Sequence, residues 1–173
     1  MSELRTNRII PRDGLTSGTG IAGGIIQIKQ TILKSQFTVS QNVSSGYTDL
    51  TGLSVAITPT RSDSKVLIKA VIYNSNANAV NFFRVLRGST FIEQPSGTSS
   101  SGANWNAHAF AYYNADNWQD STAIEILDSP ATTSATTYKI QMAVTSNTGT
   151  INKFYNTSNY YGISTLTVYE VSG

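Results

Sequence analysis

The chain has 173 residues, enough for one domain with its own core, and no cysteine, which excludes disulfides, thiolate metal sites and a cysteine nucleophile. Charged residues make up 13% of it, against ~25% in an average globular protein, so the surface is polar without being highly charged. The net charge of +2 is unevenly placed: Arg5, Arg8, Arg12, Lys29 and Lys34 against Glu3 and Asp13 give +3 over residues 1–34, and seven basic against eight acidic residues give −1 over the rest. That balance describes a cationic arm on a near-neutral body. The body carries no basic stripe, which argues against a nucleic-acid partner despite a pI of about 8.9.

Residues 1–20 read as an extended arm. Pro11 holds the residue before it in extended backbone, and DGLTSGTG at 13–20 puts three glycines in eight positions. Leu4, Ile9 and Ile10 supply apolar anchors between the arginines. The body, 21–173, then runs as a succession of short strand patterns. At 25–32, Ile26, Ile28 and Ile32 fall in one period-2 set, the mark of a half-buried strand. Leu53, Val55 and Ile57 alternate with small residues until Pro59 stops them. KVLIKAVIY at 65–73 is apolar on both faces, which predicts a central strand of a sandwich. NFFRVLR at 81–87 sets Phe83 and Val85 against Phe82, Arg84 and Leu86, and Gly88-Ser89 turns the chain. A polar low-complexity loop at 94–104 precedes WNAHAFAYY at 105–113. Further runs follow at 123–127, at 138–144, where Tyr138, Ile140, Met142 and Val144 share a face, and at 164–171.

No window of a dozen residues has a 3.6-residue period. Eight or nine strands separated by Ser/Thr/Asn/Gly turns predict an all-β fold, a sandwich or a barrel. No apolar run approaches the ~18 residues of a membrane helix, so no membrane insertion is expected. The N-terminus lacks the apolar stretch of a secretory signal, and any route out of a cell is expected to be lysis or a particle.

The chemistry-bearing residues are few. His108 is the single histidine; it shares a predicted strand face with Asn104, Asn106, Phe110 and Tyr112, and no Gly-x-Ser-x-Gly elbow accompanies it, so an ordinary strand or interface histidine is expected. Asp116 and Asp120 are the nearest acidic pair, but without calcium-loop spacing they read as turn-forming acids. No metal, cofactor or catalytic residue is therefore assigned. The aromatics say more. Tyr112, Tyr113, Trp118, Tyr155, Tyr160 and Tyr161 gather in the second half among Asn and Ser, where flat apolar faces meet hydrogen-bonding groups. Three readings stay open for them: a seam between subunits, a surface for a protein or host-surface glycan, or plain core.

Several stretches together resemble virion structural proteins of tailed phages, especially those of cyanobacteria. They are SELRTNRIIPRDG at 2–14 with GGIIQ at 23–27, LTGLSVAITPT at 50–60, SKVLI at 64–68, FRVLRG at 83–88, LDSPATT at 127–133 and LTVYE at 166–170. The resemblance spans nearly the whole chain. It implies a jelly-roll β-sandwich similar to the C1q and tumour-necrosis-factor folds, homotrimeric, non-enzymatic and located in a virion assembled in the host cytoplasm. Leu4, Arg5, Arg8, Ile9, Ile10, Pro11 and Arg12 would then dock on another capsid or tail protein, arginines pairing with carboxylates and aliphatic residues filling grooves. With neither heptads nor internal repeats, a capsid decoration knob or tail accessory is expected ahead of a fibre shaft. A receptor- or glycan-binding adhesin is the alternative.

Overall fold

Strands form wherever β-branched and aromatic residues alternate with polar ones, and the turns fall where Gly, Pro, Asn and Ser collect. The computed structural model describes residues 24–97, 105–114, 118–154 and 160–173; the arm predicted at 1–20 lies outside them. Among the described residues the strands are β1 (Ile25–Leu33), β2 (Phe37–Val39), β3 (Thr48–Ile57), β4 (Lys65–Ser75), β5 (Val80–Arg87), β6 (Thr90–Phe91), β7 (Ala109–Tyr112), β8 (Gln119–Asp128), β9 (Thr136–Val144), β10 (Gly149–Ile151) and β11 (Ser164–Val171).

All strand pairs are antiparallel, and they make two sheets. In the first, β11 pairs with β1 on one side and with β4 on the other, and β8 pairs along the far edge of β4. The short β10 continues the lane of β11 along β4, and β2 continues the lane of β1 beside β10. In the second sheet, β9 lies between β3 and β5, while β6 and β7 share the remaining edge of β5. Counted by lanes, the order is β1-β11-β4-β8 in one sheet and β3-β9-β5-β7 in the other. Strands passing between two four-lane sheets in this order form a jelly roll, which is the fold class expected.

The core lies between the sheets. Val66, Ile68, Ala70 and Ile72 of β4, with Leu166 and Val168 of β11, meet Leu53, Val55 and Ile57 of β3, Phe83 and Val85 of β5, and Tyr138, Ile140 and Met142 of β9. The central position of β4, the core faces of β5 and β9, and the Gly88 turn all follow the sequence pattern; Gly88 takes a φ of 59°, which glycine adopts without strain.

Two expectations are corrected. Ile26, Ile28 and Ile32 point away from the core, which receives Leu33 from this strand. The strand expected over 105–113 shortens to Ala109–Tyr112, with His108 and Tyr113 leaving the ladder on either side. At both ends the core gives way to buried polar groups, described below.

Candidate interaction surfaces

Antiparallel register puts directly opposed residues on the same face, so the outer face of the first sheet can be read in transverse rows. Ile28, Tyr169, Leu67 and Leu127 form one row, and Ile32, Thr165, Val71 and Ala123 another. Between them run Gln30, Thr167, Lys69 and Glu125, with Gln30 Nε2 donating to Thr167 Oγ1 at 2.8 Å and Lys69 paired to Glu125 at 2.8 Å. Ile28 is 55% exposed and Leu127 54%, and Ile32 and Val71 are also exposed. Two apolar rows flanking a self-satisfied polar row make a face suited to contact.

The six aromatics of the sequence reading do not form one site. Tyr113 is the clear correction: it is only 2% exposed, and its hydroxyl donates to Asn74 O (3.0 Å) and Oδ1 (2.7 Å) inside the sandwich. Burial raises its pKa well above the ordinary tyrosine value. Tyr112, its neighbour, is exposed on the outer face of the second sheet. Trp118, Tyr160 and Tyr161 are exposed near one end of the first sheet. There Tyr73 joins the two segments that carry them: its hydroxyl bonds Gln119, next to Trp118, and its ring lies against Gly162, next to Tyr161. Tyr160 sets its ring edge-on to Phe154 at 5.9 Å. Tyr155 lies outside the described residues, as do all seven residues assigned to the docking arm.

The second sheet's outer face is aromatic and polar. Phe82 lies against Trp105 and Phe110, with ring centroids 6.1 Å and 6.3 Å away. Two residues along β5, Arg84 stacks on Tyr47 (4.0 Å) and approaches Phe91 (5.3 Å), and its Nε donates to Gln141 Oε1 at 2.8 Å. Gln141 Nε2 and Lys139 Nζ both donate to Asp49, at 2.6 Å and 2.7 Å. Burial lowers the Arg84 pKa, against the opposing pull of Tyr47 and Asp49.

His108 is structural by geometry. Its Nδ1 accepts the Val85 N–H at 2.9 Å, so the proton belongs on Nε2, which donates to Ile92 O at 2.8 Å. Burial lowers its pKa, which favours this neutral ring with both nitrogens engaged. Asp120, expected in a turn, instead lies in β8 opposite Asn74 and accepts from Ser121 N at 2.7 Å; Asp116 lies outside the described residues. Among the described residues, no group of three or more His, Asp and Glu side chains is arranged to hold a metal ion, and no helix is long and apolar enough to cross a membrane.

No family model and no curated protein sequence matches the chain. Among solved structures it is similar to that of the infectious bursal disease virus Gx strain, at 13% identity and a TM-score of 0.39, over 95% of this chain and 43% of that one. It is also similar to the VP2 subviral particle of the same virus, at 11% identity and a TM-score of 0.37, over 86% and 38% of the two chains. The chain thus spans about two-fifths of the length of those proteins. The jelly-roll assignment rests on the strand order itself.

Two buried polar clusters brace the ends of the sandwich. Glu170 follows Leu166 and Val168 on the inward face of β11 and is fully buried, with no cation paired to it among the described residues. Its Oε1 accepts from Thr60 N (2.7 Å), Thr60 Oγ1 (2.8 Å) and Ser64 Oγ (2.7 Å), and its Oε2 from Gln27 Nε2 (2.6 Å). Burial pushes its pKa up, but these hydrogen bonds outweigh it and hold the carboxyl below its ordinary value. At the other end Asn74 donates to Thr122 Oγ1 (2.9 Å), Asn81 donates to Asn74 Oδ1 (2.9 Å), and Asn76 donates to Asn81 Oδ1 (2.7 Å). Among the described residues every buried side-chain nitrogen and oxygen has a partner. Sequence reading missed the first sheet's apolar rows, the Arg84 cluster and both buried networks. The signal for the first was present, since KVLIKAVIY is apolar on both faces.

Proposed function

We propose that this chain is a non-enzymatic virion structural module: a homotrimeric knob or decoration protein fixed to a capsid or tail through its N-terminal arm. The observation that carries this reading is the outer face of the first sheet. Full burial of an Ile, Val or Leu side chain contributes ~1.5–3 kcal/mol, and Ile28, Ile32, Val71 and Leu127 have roughly half of that still available. In a three-fold ring the contact is between unlike patches, the sheet face of one copy covering a different surface of the next. The ordered motifs that resemble those of phage virion proteins support the three-fold choice and the role of the arm, and the engaged nitrogens of His108 fit a chain that does no chemistry.

The test uses particles. Deleting residues 1–20 removes three arginines and no described strand, so the body is expected to keep its β-rich spectrum and melting temperature while its incorporation into virions stops. Normal stoichiometry of the truncated chain in purified particles overturns the docking role of the arm.

A further inference from the structure

The geometry points to a second binding surface, on the outer face of the second sheet, for a carboxylate-bearing saccharide. It lies on the opposite sheet from the apolar rows proposed for self-assembly. Arg84 is the anchor. One face of its guanidinium is stacked on Tyr47 at 4.0 Å, Phe91 stands within 5.3 Å, and Nε is tied to Gln141. Its two terminal nitrogens make no hydrogen bond among the described residues, and the Arg84 side chain is only partly buried, which leaves the fork within reach of a ligand. A guanidinium held this way presents its end-on fork, which matches the two oxygens of a carboxylate.

The surroundings select the rest of the ligand. Asp49, the nearby acid, is already engaged by Lys139 and Gln141, so it does not occupy the fork. Arg84 and Lys139 against Asp49 leave the patch with one net positive charge, complementary to an acidic ligand. Trp105 is 45% exposed and Phe110 69%, and both rings rest on Phe82. Phe82 and Arg84 are two residues apart on one face of β5, about 7 Å along the strand, roughly the reach of a single hexose ring. A pyranose is apolar on its flat C–H face and polar at its rim. Exposed rings beside a fixed hydrogen-bonding row suit that amphipathic shape better than an extended acidic peptide, which would engage the fork alone.

The full chain is titrated calorimetrically with oligogalacturonate, oligosialate, cellotetraose as the neutral control, and poly-glutamate as the peptide control. The expected result is binding of at least one carboxylated saccharide about tenfold or more tighter than cellotetraose and poly-glutamate. Arg84→Gln and Trp105→Ala should each weaken it by about tenfold or more, and Arg84→Lys, which keeps charge but loses the fork, should fall between. Melting temperatures identify any variant that fails to fold, and the surviving variants decide. The inference is overturned if neither carboxylated saccharide binds at millimolar concentration, if cellotetraose binds equally well, or if folded Arg84→Gln binds like wild type. Equal or tighter binding of poly-glutamate reassigns the face to a protein partner.

Discussion

Replacing Glu170 by Gln preserves shape while removing a buried charge, and the structure sets the size of the effect. In the wild type one carboxylate accepts four hydrogen bonds, from Gln27, from Ser64 and twice from Thr60, and so ties β1 and the β3–β4 connection to β11. A carboxamide keeps one acceptor oxygen for Thr60 and Ser64 but turns an NH2 toward the Gln27 amide, which already donates to Thr58 O at 2.7 Å. One bond is lost with its donor stranded, and the others fall from charge-assisted to neutral strength. Against this stands the relief of burying no charge. A net loss of about 2–3 kcal/mol is expected, since bonds to charged groups contribute ~1.5–3 kcal/mol and neutral ones ~1. For a domain of this size that lowers the melting temperature by roughly 4–12 °C. The pH dependence has a defined sign. Because the folded carboxyl titrates below its ordinary value of 4.5, its stabilisation is complete above that pH and is lost as pH falls through the folded value. The gap between wild type and Glu170→Gln should therefore be widest near neutrality and close in acid. A variant that melts within about 2 °C of wild type at neutral pH, or a gap that persists in acid, refutes the reasoning.

Tyr113→Phe removes both hydroxyl bonds to Asn74 and should cost ~1–2 kcal/mol in urea unfolding while leaving oligomer mass unchanged; a change in mass would return Tyr113 to the subunit seam. His108 is held neutral with its pKa below the ordinary 6.5, so its contribution is complete above that pH and declines as pH falls toward the folded value. The urea midpoint of wild type should drop between about pH 7 and pH 5 by more than that of His108→Gln, and parallel profiles would contradict the assignment.

The sequence made the core legible because period-2 alternation maps directly onto sheet faces. Phe83 with Val85, and Tyr138 with Ile140 and Met142, follow that rule. The same rule could not say which apolar face is inside when both are apolar: β4 reads as buried on two sides, yet Val71 faces out. In β1 it reversed the answer, since Ile26, Ile28 and Ile32 lie on the outer face and Leu33 enters the core. The short β2, β6 and β10 have two or three residues each, too few to establish a period. Tyr112 and Tyr113 show how little separates a surface residue from a buried one, because one step along the chain reverses the side and β7 ends between them. Glu170 was legible in parity with Leu166 and Val168. Its burial still depends on Gln27, Thr60 and Ser64, which lie at least 106 positions away. The Arg84 cluster likewise joins Tyr47, Asp49, Phe91 and Gln141 from separate strands and connections, a convergence that local pattern does not encode.

Sedimentation equilibrium of the full chain, with Val71→Glu beside it, tests the central claim most directly. A charge placed between Thr165 and Ala123 in the apolar row is solvated in a free subunit and unpaired in a buried contact. The wild type should sediment at three times the 18.6 kDa of one chain, and Val71→Glu should sediment as a folded single chain. A wild type that stays at 18.6 kDa into the tens of micromolar, or a Val71→Glu variant that assembles equally well, contradicts the account.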